Sequence, residues 1–163
     1  MAGKHARMSQ TSAAFTSTSP QETTQFAARL GADLQPGDCL LLEGGIGAGK
    51  SHFARALILS RLSVPEDVPS PTFTLVQTYD LAECELWHAD LYRLSDPDQV
   101  VELGLLDAFE SAICLVEWPD RLEDLAPKDA LRLHLADPEK TDTREITLTW
   151  QAPRWAAIVQ GAL

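Results

Sequence analysis

Gly44-Gly45-Ile46-Gly47-Ala48-Gly49-Lys50-Ser51 spells G-x-x-x-x-G-K-S after the apolar run Leu40-Leu41-Leu42 and Glu43, a spacing suited to holding a chain of phosphates. Glycines at 44, 45, 47 and 49 let consecutive backbone N–H groups turn inward onto an anion. The helix expected to start there adds the positive end of its dipole. In such a loop Lys50 reaches the β and γ phosphates and Ser51 offers its hydroxyl to Mg²⁺. The nucleotide-binding set read from the pattern is therefore Gly44, Gly45, Ile46, Gly47, Ala48, Gly49, Lys50 and Ser51.

A phosphate loop also needs an acid at the end of a neighbouring strand, because Mg²⁺ prefers oxygen ligands and that strand end lies beside the loop serine. Glu117 closes the most apolar run of the chain, Ala112-Ile113-Cys114-Leu115-Val116, and is the better candidate for the metal. Asp90 follows Glu85-Leu86-Trp87-His88-Ala89; it could orient an attacking water or meet Mg²⁺ from the other side. His88-x-Asp90 taken alone is weak evidence for a metal site, since a single histidine at a strand end is more often a satisfied structural group. The chain contains no asparagine, so the N-K-x-D motif that reads guanine cannot exist, and ATP is the expected nucleotide. The signature segment of transporter-type ATPases is absent, as is an arginine-rich lid of the kind small-molecule kinases close over phosphates.

The elements that must position these residues alternate along the chain. After a short extended piece near Phe15, residues 20–34 read as a helix with Phe26, Leu30 and Leu34 on one face, Ser19 as its cap and Pro36-Gly37 as its stop. A buried strand over residues 39–42 leads into the loop, and a helix over residues 51–62 leads out, with Phe53, Leu57, Ile58 and Arg61 at helical spacing. A proline-punctuated loop, 63–71, precedes strand character over 72–78 and again over 84–89. A helix from Pro97, with Ser95 and Asp98 spaced like a capping pair, is interrupted at Gly104. The run at 112–116 has no polar alternation, as in a strand covered on both faces. Leu131, Leu133 and Leu135, then Ile146, Leu148 and Trp150, alternate with polar residues, which predicts a hairpin with one buried face. A short helix opened by Pro153 presents Trp155, Ile158 and Val159 to the core.

The 163 residues suit one compact unit: a single nucleotide-binding domain over 19–163 behind a disordered tail over 1–18. Residues 1–21 hold no acid, are rich in Ser and Thr and carry Lys4, His5 and Arg7. That composition suits a transit peptide weakly and a disordered tail, an appended segment or a start at Met8 better. Cys39, Cys84 and Cys114 lie among apolar residues at spacings that fit no zinc pattern, so reduced buried thiols and a reducing, cytoplasmic setting are expected. No apolar run reaches the ~20 residues of a membrane helix. The net charge of −11 argues against strong direct binding of a polyanion such as tRNA.

Taken in order, G-G-I-G-A-G-K-S, Ser70-Pro71-Thr72-Phe73-Thr74-Leu75-Val76 with Tyr79, His88-Ala89-Asp90-Leu91-Tyr92-Arg93-Leu94, Glu102-Leu103-Gly104 and Ile113-Cys114-Leu115-Val116-Glu117-Trp118-Pro119 resemble the TsaE family. These are bacterial ATPases required for the threonylcarbamoyl modification of adenosine in tRNAs that read codons beginning with A. The resemblance spans roughly residues 20–150. It implies a three-layer α/β phosphate-loop NTPase fold with a mixed sheet and a C-terminal antiparallel hairpin, ATP and Mg²⁺ as ligands, and the TsaB and TsaD proteins as partners that would handle the tRNA. It further implies Ser51 and Glu117 as metal ligands, Lys50, Asp90 and Thr72 at the γ-phosphate, Trp118 beside the metal ligand, and Gln21 and Thr143 near the adenine. Gly45 and Ser51 depart from the Asp and Thr usual in the family, and serine keeps the hydroxyl. Two other functions fit the same residues: a small-molecule kinase with Asp90 as the base on an acceptor hydroxyl, and a nucleotide-gated binding module that barely hydrolyses.

Overall fold

The computed structural model describes residues 11–136 and 143–163. Seven strands form one mixed sheet in the order β1-β7-β6-β2-β5-β4-β3: β1 (Thr11–Ser17), β2 (Cys39–Glu43), β3 (Val76–Asp80), β4 (Glu85–Asp90), β5 (Ile113–Glu117), β6 (Leu131–Leu135) and β7 (Arg144–Trp150). The four central strands β6, β2, β5 and β4 run parallel, while β3 pairs antiparallel at one edge and β7 with β1 at the other.

Residue alternation in the central strands builds two cores. In β2, Leu40 and Leu42 join the cluster containing Phe26 and Leu30 of α1 (Pro20–Gly31), Phe53 and Leu57 of α2 (Lys50–Arg61), and Trp155 and Val159 of α5 (Trp155–Ala162). Cys39 and Leu41 of the same strand face the opposite layer, with Val100 of α3 (Asp98–Glu102), Leu105 and Ala108 of α4 (Leu105–Ser111) and Leu122 of a 3-10 segment, Pro119–Leu125. The architecture is thus the expected three-layer α/β arrangement. Each fully buried Leu or Phe contributes about 1.5–3 kcal/mol, so the strands that end at the phosphate loop are among the firmest parts of the molecule. Arg154 pairs with Asp38, tying the segment before α5 to the start of β2.

The hairpin is β6 and β7 in antiparallel register, with Leu131, Leu133 and Leu135 buried and Arg132 and His134 exposed. Three expectations need correcting. Residues 11–17, assigned to a tail ending at residue 18, form β1: Ser and Thr dominate it, yet its backbone pairs along β7 and Phe15 stacks on Phe26 with ring centroids 4.3 Å apart. The strand expected over 72–78 starts at Val76; Thr72 to Thr74 form a turn in which Leu75, at φ +66°, donates its N–H to Pro71 O at 2.7 Å. Before α3, Ser95 does not cap with Asp98. The Gln99 side chain accepts from the Ser95 and Asp96 N–H groups, and the Asp96 carboxylate accepts from Asp98 N. Cys39 and Cys114 are buried in strands, whereas Cys84 is half-buried just ahead of β4; all three are free thiols.

Candidate nucleotide site

The loop between β2 and α2 lies over the C-terminal ends of the parallel strands, the usual position of ligand sites in open α/β sheets. Gly44 has φ +147°, and a Cβ there would stand 2.6 Å from the Leu135 carbonyl oxygen, so the loop can pass under the end of β6 only as glycine. Gly49, at φ +103°, starts α2 without a side-chain cap, leaving the first-turn N–H groups facing the loop.

Lys50 is buried, and its Nζ donates to the carbonyls of Gly44 at 2.7 Å and Gly45 at 2.8 Å. The same ammonium lies 4.3 Å from the centroid of the Trp118 ring, and Trp118 in turn meets Tyr92 at 4.9 Å between centroids. Ser51 Oγ donates to Glu117 Oε1 at 2.9 Å. The other carboxylate oxygen of Glu117 is 2.7 Å from His88 Nε2.

Strand register explains these meetings. Leu42 and Asp90 both stand opposite Glu117, one on each side, so the phosphate-loop strand, Glu117 and Asp90 end side by side. Asp90 and Glu117 are only 6% and 2% exposed. Burial pushes the Asp90 carboxyl above its ordinary range; the N–H of Tyr92, donating to its Oδ1 at 3.1 Å, opposes that shift, and the Glu117 charge adds to it. Two buried carboxylates on adjacent strand ends are costly without a cation to balance them.

A cleft of about 370 Å³ is lined by Lys50, Ser51, Thr72, Asp90, Glu117 and Trp118 among others. It brings together the residues expected at the phosphates and metal. A second cavity, about 220 Å³, is lined by Pro20, Thr23, Gly49, His52, Leu135 and Arg144. Gly49 and His52 line both, so the two are neighbours across the start of α2. Gln21 and Thr143, expected near a base, do not line the second cavity; Pro20, Thr23 and Arg144 beside them do. Sequence reasoning missed His52, Arg144 and the pairing of His88. The last was legible in principle, because His88 and Asp90 are two apart on a strand and therefore share a face.

The oxygen set fits Mg²⁺: a serine hydroxyl and a carboxylate already within hydrogen-bond reach, with a second carboxylate on the next strand. Among the described residues no group of three or more His, Cys, Asp or Glu forms a ready cage. That suits a cation that takes one or two protein ligands and completes its shell with phosphate and water. No helix among the described residues is long and apolar enough to cross a membrane.

Residues 17–146 match the model of the family described as threonylcarbamoyl adenosine biosynthesis protein TsaE. The tRNA threonylcarbamoyladenosine biosynthesis protein TsaE of Rickettsia bellii is 37% identical over 117 residues, 72% of this chain and 81% of the relative. The Bacillus subtilis protein of the same name is 35% identical over 142 residues, 86% of this chain and 87% of the relative. The crystal structure of Bacillus subtilis YdiB superposes with a TM-score of 0.78 at 29% identity, covering 94% of this chain and 95% of that one.

Proposed function

Since this chain belongs to the TsaE family of threonylcarbamoyl adenosine biosynthesis proteins, we propose that it is an ATPase of that tRNA modification, working in a cycle with the TsaB and TsaD proteins. The observation that carries the reading is the single cleft lined by Lys50, Ser51, Thr72, Asp90 and Glu117 at the ends of parallel strands. The adjoining cavity beside Pro20, His52 and Arg144 is the room available for the nucleoside.

Ser51 and Glu117 would hold Mg²⁺, which neutralises charge on the β and γ phosphates when bound. Lys50 exchanges its bonds with the Gly44 and Gly45 carbonyls for phosphate oxygens and stabilises the charge that develops on transfer. Asp90, its carboxylate basicity raised by burial, aligns the attacking water and accepts its proton. The water oxygen bonds to the γ-phosphorus as the bond from that phosphorus to the bridging oxygen breaks. ADP leaves with the bridging oxygen, inorganic phosphate carries the water oxygen, and the proton passes to solvent. Thr72, on the turn beside the cleft and 2.8 Å from Ser70 Oγ through its own Oγ1, senses the γ-phosphate.

The partner dependence is supported by the rim. Ile46 and Phe73 are 76% and 82% exposed, and apolar side chains left in water beside a catalytic cleft suit a surface that a partner covers. The charge of −11 suits a protein that leaves tRNA contacts to others. The test follows γ-labelled ATP with the purified chain alone and with both partners. Release of labelled inorganic phosphate, faster with the partners, supports the reading; label on a small acceptor, with no partner effect, makes it a kinase instead.

A further inference from the structure

We infer that His88 is the positioning residue of Glu117, holding one carboxylate oxygen so that the other is presented to Ser51 and to the metal. The inference rests on the reading of Ser51 and Glu117 as metal ligands and adds a residue that this reading leaves without a role.

Three observations carry it. His88 and Glu117 are 1% and 2% exposed, so both side chains are sealed from bulk solvent. The two carboxylate oxygens are divided between different residues, Oε1 to Ser51 Oγ at 2.9 Å and Oε2 to His88 Nε2 at 2.7 Å. Finally, His88 Nδ1 is buried with no hydrogen-bond partner among the described residues, so the ring has one polar contact, and that contact is Glu117.

An ionised carboxylate accepts only, so Nε2 donates the proton of this bond. The strands explain why histidine stands there. His88 lies two residues before Asp90 on β4 and opposite Leu115 of β5, so it points to the same face as Glu117 and reaches its carboxylate diagonally. Its neighbours on that face, Leu86 two residues before it and Leu115 opposite it, are fully buried in the core. A carboxylate pinned at one oxygen cannot swing to chelate with both or turn away from Ser51. The outer partners of a metal ligand act in this way, and their loss typically lowers metal affinity about 10- to 100-fold.

Two measurements test it. In the unmutated protein, ¹⁵N spectra of the imidazole should report a proton on Nε2; a tautomer with Nε2 bare overturns the inference. Mn²⁺ is then titrated into the ADP-bound protein and followed by electron paramagnetic resonance, for the parent, His88→Leu and His88→Gln. His88→Leu should raise the Mn²⁺ half-saturation about 10- to 100-fold while metal-free ADP affinity stays at the parental value. His88→Gln, which restores an N–H donor, should recover most of the loss. A merely structural histidine would weaken metal-free ADP binding too, or neither. Parental half-saturation in folded His88→Leu overturns the inference and leaves the metal site standing, whereas a parent that takes up no Mn²⁺ overturns the metal assignment itself. If His88→Leu does not fold, the tautomer and the Gln variant still decide.

Discussion

Lys50 and Trp118 meet as cation and ring, with Nζ 4.3 Å from the indole centroid. Lys50 is the first residue of α2, and Trp118 follows β5 in a left-handed backbone conformation at φ +59°. Such contacts contribute about 0.5–2 kcal/mol. With the Gly44 and Gly45 carbonyls, the ring keeps a buried ammonium inside the cleft. Lys50→Ala should keep the fold and lower ATP turnover by about 10² or more. Equal rates for variant and parent, measured as phosphate release, would remove the loop from the chemistry.

Glu117→Gln keeps the shape of the side chain and removes its charge. The Mg²⁺ concentration for half-maximal turnover should rise while metal-free nucleotide binding changes little. An unmoved Mg²⁺ titration, with Asp90→Asn shifting it instead, would exchange the roles of the two acids.

The phosphate-loop pattern, the place of Asp90 and Glu117 at strand ends and the layer order were legible because each has a local signature: glycine spacing, an unbroken apolar run, a period of two or of 3.6. The burial of Cys39 with Leu41 on one face and Leu40 with Leu42 on the other is what an unalternating run implies. Of β1 only a short extended piece near Phe15 was legible, since its Ser- and Thr-rich sequence gains its partner from β7, more than a hundred residues away. The turn at Thr72 was hidden by β-prone residues whose extended preference is overridden by the Leu75 N–H to Pro71 O bond and by the Asp90 N–H donated to Leu75 O at 2.9 Å. His88 read as a bland histidine because its meaning lies on the neighbouring strand.

Asp90 carries a conflict between stability and activity. Burial raises its folded pKa above the unfolded value of about 3.9. Below both values the carboxyl is protonated in either state and costs nothing. As pH rises the unfolded chain loses the proton first, so stability falls through the window between the two and stays low above it. Asp90→Asn should therefore be more stable than the parent at pH 7, with the gain vanishing below about pH 4, while hydrolysis drops by about 10²–10⁴. Denaturant melts across pH check the first part; a gain that persists in acid would contradict the burial cause.

Cys114 is pushed up to about 12 and Cys39 well above the usual thiol range, both chiefly by burial. An unfolded thiol ionises near pH 8.5, so stability should fall as pH rises from there towards the folded value. Cys114→Ala should flatten that alkaline fall. Native-state labelling with a thiol reagent should modify Cys84 first; prompt labelling of Cys39 or Cys114 would contradict their burial.

Thr72 tests the coupling between nucleotide and partners. Its turn is stiffened by Pro69 and Pro71 and joined to the end of β4 by the Asp90 N–H to Leu75 O bond, and Phe73 beside it lies under Arg93, 4.7 Å from guanidinium carbon to ring centroid. A γ-phosphate that engages Thr72 would bias this turn and the exposed Phe73 together. Thr72→Ala should lower hydrolysis and weaken ATP-dependent association with TsaB and TsaD, with ADP affinity nearly unchanged because ADP offers no γ-phosphate. Pull-down or calorimetry with ATP against ADP measures the association. Equal loss of ADP and ATP binding would make Thr72 a general nucleotide contact, and unchanged association in ATP would detach the turn from the partner surface.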